Sequence, residues 1–171
     1  QAGGNVIVCA RDEEKGKAAV QKLQAAVPSG SFEFGLLDLS NLSSVKQFAA
    51  SLSGRCVDVL INNAGVMNLP KWESSTDGFE MQLATNCLGH YALTLQLLPS
   101  LRLSAHPRVV NVSSIKAREV AFLPAEVEFV RKVEPYPMEA IYAESKLVNL
   151  LFNNELARRC PDVMCVGAHP Q

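Results

Sequence analysis

The chain has 171 residues, of which 48% are hydrophobic and 19% charged, with a formal net charge of −1. This is enough for one domain with a sizeable core, and the composition excludes a disordered chain. No basic run points to nucleic acid or an anionic membrane surface, and no apolar stretch approaches the length of a membrane span. In chain order, "NVIVCA" (5–10) reads as a β-branched strand, followed by a charged helix over 12–27 with Ala18, Ala19, Leu23 and Ala26 at helical spacing. Pro28-Ser29-Gly30 stops it. "FEFGLLDL" (32–39) is a strand, and Ser40 or Asn41 caps a helix reaching about Leu52. "VDVLIN" (57–62) is a buried strand ending in Asn62-Asn63-Ala64-Gly65. A long helix is predicted over 76–101, a strand over 108–114, a helix over 137–160 and a last strand over 162–170.

Continuous apolar strands alternating with helices predict a doubly wound α/β fold. Its sheet is mainly parallel, with helices on both faces, in a single domain spanning 1–171. Five scattered cysteines without CxxC spacing read as reduced, packed thiols, and no metal site is predicted. In a doubly wound sheet, ligands sit outside the carboxyl ends of the strands. The residues there are Arg11, Asp38, Asn62, Ser114 and Pro170.

"IYAESKLVNLLFNNELARR" (141–159) places Tyr142 and Lys146 four residues apart, on one helix face. A phenol ordinarily titrates near pH ~10, and a neighbouring ammonium favours the phenolate, so the pair can exchange a proton with a hydroxyl or carbonyl oxygen. From YxxxK alone, a surface lysine beside a half-buried tyrosine is the commoner explanation. Ser113-Ser114 end the strand "RVVNVSS", where a hydroxyl can either bind a reacting oxygen or cap a turn. Asn86 lies inside the long helix, where asparagine is a mediocre former, so it faces solvent or serves a specific polar purpose.

Taken in order, strand–NNAG, a helix with Asn86, strand–Ser-Ser and "YAESK" closely resemble the short-chain dehydrogenase/reductase family, over essentially the whole chain. The resemblance implies Tyr142 as general acid/base and Lys146 as the cation that tunes it and holds the nicotinamide ribose. It implies Ser114 as the group polarising the substrate oxygen, and Asn86 as the anchor of a water in the proton relay. Asn62, Ala64 and Gly65 would line the cofactor, and Asp38 and Leu39 would flank the adenine. Pro170, after the last strand, falls among the cofactor-binding positions. Arg11 closes the strand that reaches the adenosine ribose; a guanidinium there suits a 2′-phosphate, so NADP is favoured over NAD.

Ser114 and Tyr142 stand 28 positions apart, and this insert, with "NCLGHYALT", resembles the retinol-dehydrogenase-like branch. The branch implies a lipophilic alcohol or carbonyl, retinoid- or steroid-like, as substrate. Insert residues Phe122, Leu123, Val127 and Phe129 either wall a hydrophobic pocket or form a surface excursion. The family also implies a homodimer or homotetramer through helices 76–101 and 137–160. It implies a cytoplasmic enzyme, or one on the cytoplasmic face of a membrane if an anchor lies upstream.

Two departures stand out. The family's TGxxxGxG phosphate loop is absent, "QAGG" matching only the end of the helix after that loop and the turn into the next strand. His169-Pro170-Gln171 has glutamine where glycine is expected. The chain therefore reads as a fragment lacking a central strand, unstable or catalytically inert alone, of a parent that is an enzyme. The alternative is a truncated, non-catalytic member that pairs with an intact subunit.

Overall fold

The computed structural model describes residues 3–120, 132 and 134–169. The order is β1 (Asn5–Ala10), α1 (Glu13–Ala26), β2 (Ser31–Leu36), α2 (Leu42–Ser51), β3 (Val59–Asn62) and α3 (Met81–Leu83). A π-helical turn (Ala84–Leu88), α4 (Gly89–Leu101), β4 (Arg108–Val112), a 3-10 turn (Ile115–Glu119), α5 (Met138–Arg159) and β5 (Met164–Ala168) complete it. The pairings among these five strands are all parallel. β1 pairs with β2, and β3, β4 and β5 form a second sheet with β4 in the middle.

Local chemistry sets the element boundaries. Asp12 caps α1 by accepting from the Lys15 amide, and Asn41 caps α2 by accepting from the amides of Ser43 and Ser44. Ser40 is used differently: its amide and hydroxyl both donate to Asp38 Oδ1, at 2.9 and 2.6 Å. That turn ends β2 at Leu36, three residues before the predicted end of the strand. The long helix also begins later than its hydropathy predicts, at Met81. Gly78, at φ +86°, turns the chain so that Ser74 bridges to Glu80, and the Glu80 carboxylate caps the helix.

One apolar core joins the two sheets. Leu37, Leu39, Val45, Phe48 and Leu52 from the first half pack with Leu93, Leu97 and Leu101 of α4, Val109 of β4 and Leu156 of α5. The Ser100 hydroxyl donates to the Leu52 carbonyl at 2.9 Å, tying α4 to the end of α2. Gly89 is needed for this approach, because a Cβ there would lie 2.3 Å from the Leu39 carbonyl oxygen. The start of α4 is thereby pressed against the turn that follows β2.

The sheets themselves do not join. Among the described residues β1 has no partner on the edge away from β2, nor β3 on the edge away from β4. Val6 on β1 and Val59 and Ile61 on β3 are 45%, 44% and 60% exposed, although their sequences read as strands covered on both faces. Among the described residues no helix is long and apolar enough to cross a membrane.

Candidate active site

The site grows from the carboxyl ends of β3 and β4 and the first turns of α5. The buried face of α5 is polar: Ser145, Lys146, Asn149 and Asn153 share it with Ala143 and Leu156, while Leu151 faces out. Burying so many polar groups is costly unless each finds a partner, and most do. Asn153 Oδ1 accepts from Asn111 Nδ2 on β4, and Asn111 Oδ1 accepts from Asn62 Nδ2 on β3. Asn62 Nδ2 also donates to Thr94 Oγ1 on α4, whose hydroxyl donates to the His90 carbonyl. This buried chain of amides ties α5, β4, β3 and α4 into one frame.

Asn86 makes a second frame at the sheet edge. It is fully buried within the π-helical turn. Its Oδ1 accepts from the Val66 amide at 2.8 Å, and its Nδ2 donates to the Val66 carbonyl and to Ser145 Oγ, both at 3.0 Å. The Ser145 hydroxyl donates in turn to the Tyr142 carbonyl at 2.7 Å. The extra residue of a π-turn re-aims side chains within a helix, and here it holds Asn86 between the loop after β3 and α5.

Lys146 is buried at 4% exposure. Its ammonium donates to the Val112 carbonyl at 3.3 Å and stands 5.6 Å from the Tyr142 ring centroid. Desolvation holds its pKa below the usual lysine value, with Cys87 opposing that shift. A Cβ on Gly65 would approach Asn86 Oδ1 to 3.2 Å and Lys146 Nζ to 3.4 Å, so the glycine keeps the space over both open.

The two serines separate cleanly. Ser113 is buried and its hydroxyl donates to the Lys146 carbonyl at 2.7 Å, fixing α5 on β4. Ser114 Oγ only accepts, from the Lys116 amide at 3.3 Å, as it caps the 3-10 turn. Among the described residues its hydroxyl proton has no acceptor. Among the described residues the Tyr142 phenol likewise makes no hydrogen bond.

The structure thus brings Gly65, Asn86, Tyr142 and Lys146 together, with Ser114 just beyond the strand that holds Lys146. Asn62 turns its side chain inward to Thr94 and Asn111, so only its backbone can face a ligand at the edge. Ala64 is exposed in the same loop. Asp38 spends one carboxylate oxygen on Ser40, Leu39 packs against Gly89, and Arg11 stands exposed at the end of β1. Pro170 and the insert residues Phe122, Leu123, Val127 and Phe129 lie outside the described residues. Ser145, and the separate task of Ser113, escape the sequence reading. Only the recurrence of polar residues at 142, 145, 146, 149 and 153 along one helix face signals Ser145.

His90 adds a titratable element beneath the site. It is 3% exposed, and its Nδ1 lies 3.0 Å from the Asn86 carbonyl, so Nδ1 carries the proton and donates. Desolvation, opposed by the hydrogen bond to the Asn86 carbonyl and aided by the Lys146 charge, lowers its pKa to about 4.

A short chain dehydrogenase family profile matches residues 1–125. Human retinol dehydrogenase 13 is 40% identical over 162 residues, covering 92% of this chain and 47% of that protein. Human retinol dehydrogenase 11 is 39% identical over 176 residues, covering 99% and 54%. The chain spans about half the length of these curated relatives. Among solved structures, an uncharacterized protein from Mycobacterium Paratuberculosis matches with a TM-score of 0.82 at 40% identity, covering 97% of this chain and 58% of that one.

The buried histidine gives a pH test. In the folded chain His90 stays neutral down to about pH 4, whereas unfolded histidine takes up a proton near pH 6.5. Between these values the unfolded state binds more protons, so stability rises with pH and is lost on acidification, by about 3 kcal/mol across the window. Urea denaturation at successive pH values should show this slope, and His90→Gln should flatten it. An unchanged slope in the variant would assign it to other groups.

Proposed function

Because the chain belongs to the short-chain dehydrogenase family, we propose that its parent protein is an NADP-dependent oxidoreductase interconverting a lipophilic alcohol and its carbonyl. The observation that carries this is the Tyr142 phenol, without a hydrogen-bond partner among the described residues, beside the buried ammonium of Lys146. When bound, the nicotinamide supplies or accepts the hydride. The residues fit its ribose end: Lys146 spends one long hydrogen bond on Val112, which leaves two N–H groups, and Gly65 leaves the adjoining space free of a Cβ.

Tyr142 donates its proton to the carbonyl oxygen in reduction and removes it from the alcohol in oxidation. The cation of Lys146 stabilises the phenolate left behind. Ser114 presents its free hydroxyl to the same oxygen and stabilises the charge developing there. Asn86 acts at one remove, holding the Val66 loop and, through Ser145, the Tyr142 backbone.

Arg11 supports the choice of NADP, by charge and fork geometry toward a 2′-phosphate. A short-chain dehydrogenase from Sphingobium yanoikuyae, solved in complex with NADPH, shares the fold with a TM-score of 0.75 at 19% identity, covering 98% of this chain and 61% of that one. The retinol dehydrogenases among the relatives support a lipophilic substrate.

In the parent protein, Tyr142→Phe should cut NADPH-linked carbonyl reduction by about 10²- to 10⁴-fold, the usual worth of a positioned general acid. Arg11→Ala should weaken NADPH more than NADH. Full activity in Tyr142→Phe would remove the tyrosine from the reaction.

A second reading concerns assembly. Tyr91, Leu95 and Leu151 expose 49%, 39% and 50% of their surface along α4 and α5, where Tyr91 meets Phe152 edge-on at 5.3 Å. This apolar stripe supports pairing of two copies through these helices. Sedimentation should give a dimer or tetramer mass that Leu151→Glu reduces, and a monomer of the unaltered chain would refute it.

A further inference from the structure

Away from the sheet edge, a buried carboxylate ties together the starts of the two helices that carry the site. Glu80 is 1% exposed and accepts from the Gln82 and Leu83 amides at 2.9 and 2.8 Å, capping the helix that leads through the π-turn to Asn86. The Tyr136 hydroxyl, from the segment entering α5, also donates to Glu80 Oε1, at 2.6 Å. Gln82 is fully buried, and its Nε2 uses both hydrogens across the same junction. One goes to the Tyr136 oxygen at 2.8 Å, the other to the carbonyl of Met138, the first residue of α5, at 2.9 Å. α5 has no side-chain cap of its own, because Pro137 stands at its N-cap.

We propose that Glu80, Gln82 and Tyr136 form a positioning clamp that fixes the first turn of α5, and so the place of the Tyr142 ring against Lys146. The clamp is the upper of two ties between these helices. The lower one is Asn86 to Ser145 Oγ, reinforced by Cys87 Sγ to the Ser145 carbonyl at 3.1 Å. Tyr142 lies between them, four residues beyond Met138 and three before Ser145. Lys146 is itself anchored to β4, through the Ser113 hydroxyl on its carbonyl and its ammonium on the Val112 carbonyl. Without the clamp the first turn of α5 therefore shifts, and the Tyr142 ring with it, against a fixed Lys146. Burial and the Glu80 carboxylate both push the Tyr136 phenol above the ordinary tyrosine value, so the hydroxyl keeps its bridging proton. None of the three residues touches the reacting groups, and each acts through the backbone of α5.

The clamp has its purpose through the acid/base role proposed for Tyr142, but its test reads geometry and not turnover. In the 171-residue chain labelled with ¹³C-tyrosine, the Tyr142 ring should show NOEs to the Lys146 side chain. Tyr136→Phe should abolish these NOEs and move the Tyr142 ring resonances, while Tyr91, exposed on α4, stays unmoved as the internal reference. Gln82→Met carries the same expectation with less risk to folding, since it also removes Gln82 Oε1, a buried acceptor with no partner among the described residues. NOEs and ring shifts unchanged in a folded variant, even one with a lowered melting temperature, would reduce the cluster to a stability element and overturn the proposal. Loss of the NOEs together with an inactive parent enzyme would leave the clamp standing and defeat only the functional reading.

Discussion

The side-chain amide of Asn86 is the joint on which the rest of the site depends. Three hydrogen bonds leave it, two to the backbone of Val66 and one to Ser145. Through the first two it holds the exposed loop after β3 as a neighbouring strand would. Through the third it sets the register of α5, because Ser145 passes the bond to the Tyr142 carbonyl. An apolar side chain of similar size would fill the space and leave the loop and helix unrelated. An asparagine placed there without the π-turn would aim elsewhere.

Around that joint the interior is polar to an unusual degree. Asn62, Asn111, Asn153 and Thr94 form a continuous buried network, and Ser113 locks α5 onto β4. Such networks stabilise little net, because each group gives up water, but they fix one arrangement, since any slip leaves several buried groups unpaired. That suits the site proposed here, in which a phenol and an ammonium would be held at a set separation. Among the described residues Asn62 Oδ1 has no partner. Rigidity here is therefore compatible with residual polarity next to the unpaired edge of β3.

Much of this was readable from residue types. The limits of β1, a cap of α2 at Ser40 or Asn41, the alternation that gives parallel sheets, and the shared face of Tyr142 and Lys146 all follow from short-range periodicity and capping chemistry. Hydropathy fails where a local turn overrides it. The helix predicted over 76–101 opens on Thr76-Asp77-Gly78, none of them apolar, and the positive φ at Gly78 and the Glu80 cap delay it to Met81. Periodicity also gives no sign of the π-turn, which adds a residue without altering composition, or of the five-residue 3-10 turn after Ser114. The different tasks of Ser113 and Ser114 depend on which face of β4 each occupies, and a pair of identical residues carries no such mark. Glu80, Gln82 and Tyr136 escape for another reason: they meet across more than fifty residues, and no local pattern registers that.

Hydrogen exchange at the Val66 amide, measured on the chain without nucleotide, tests this account most directly. Val66 sits in an exposed loop beside Ala64 and Gly65, whose amides make no hydrogen bond among the described residues, whereas its own donates into the buried amide of Asn86. The expected result is protection of Val66 approaching that of the β4 amides, with Ala64 and Gly65 exchanging freely beside it. Val66 exchanging as fast as its two neighbours would contradict it: the loop would not be held, and the site would have to be assembled by its ligand.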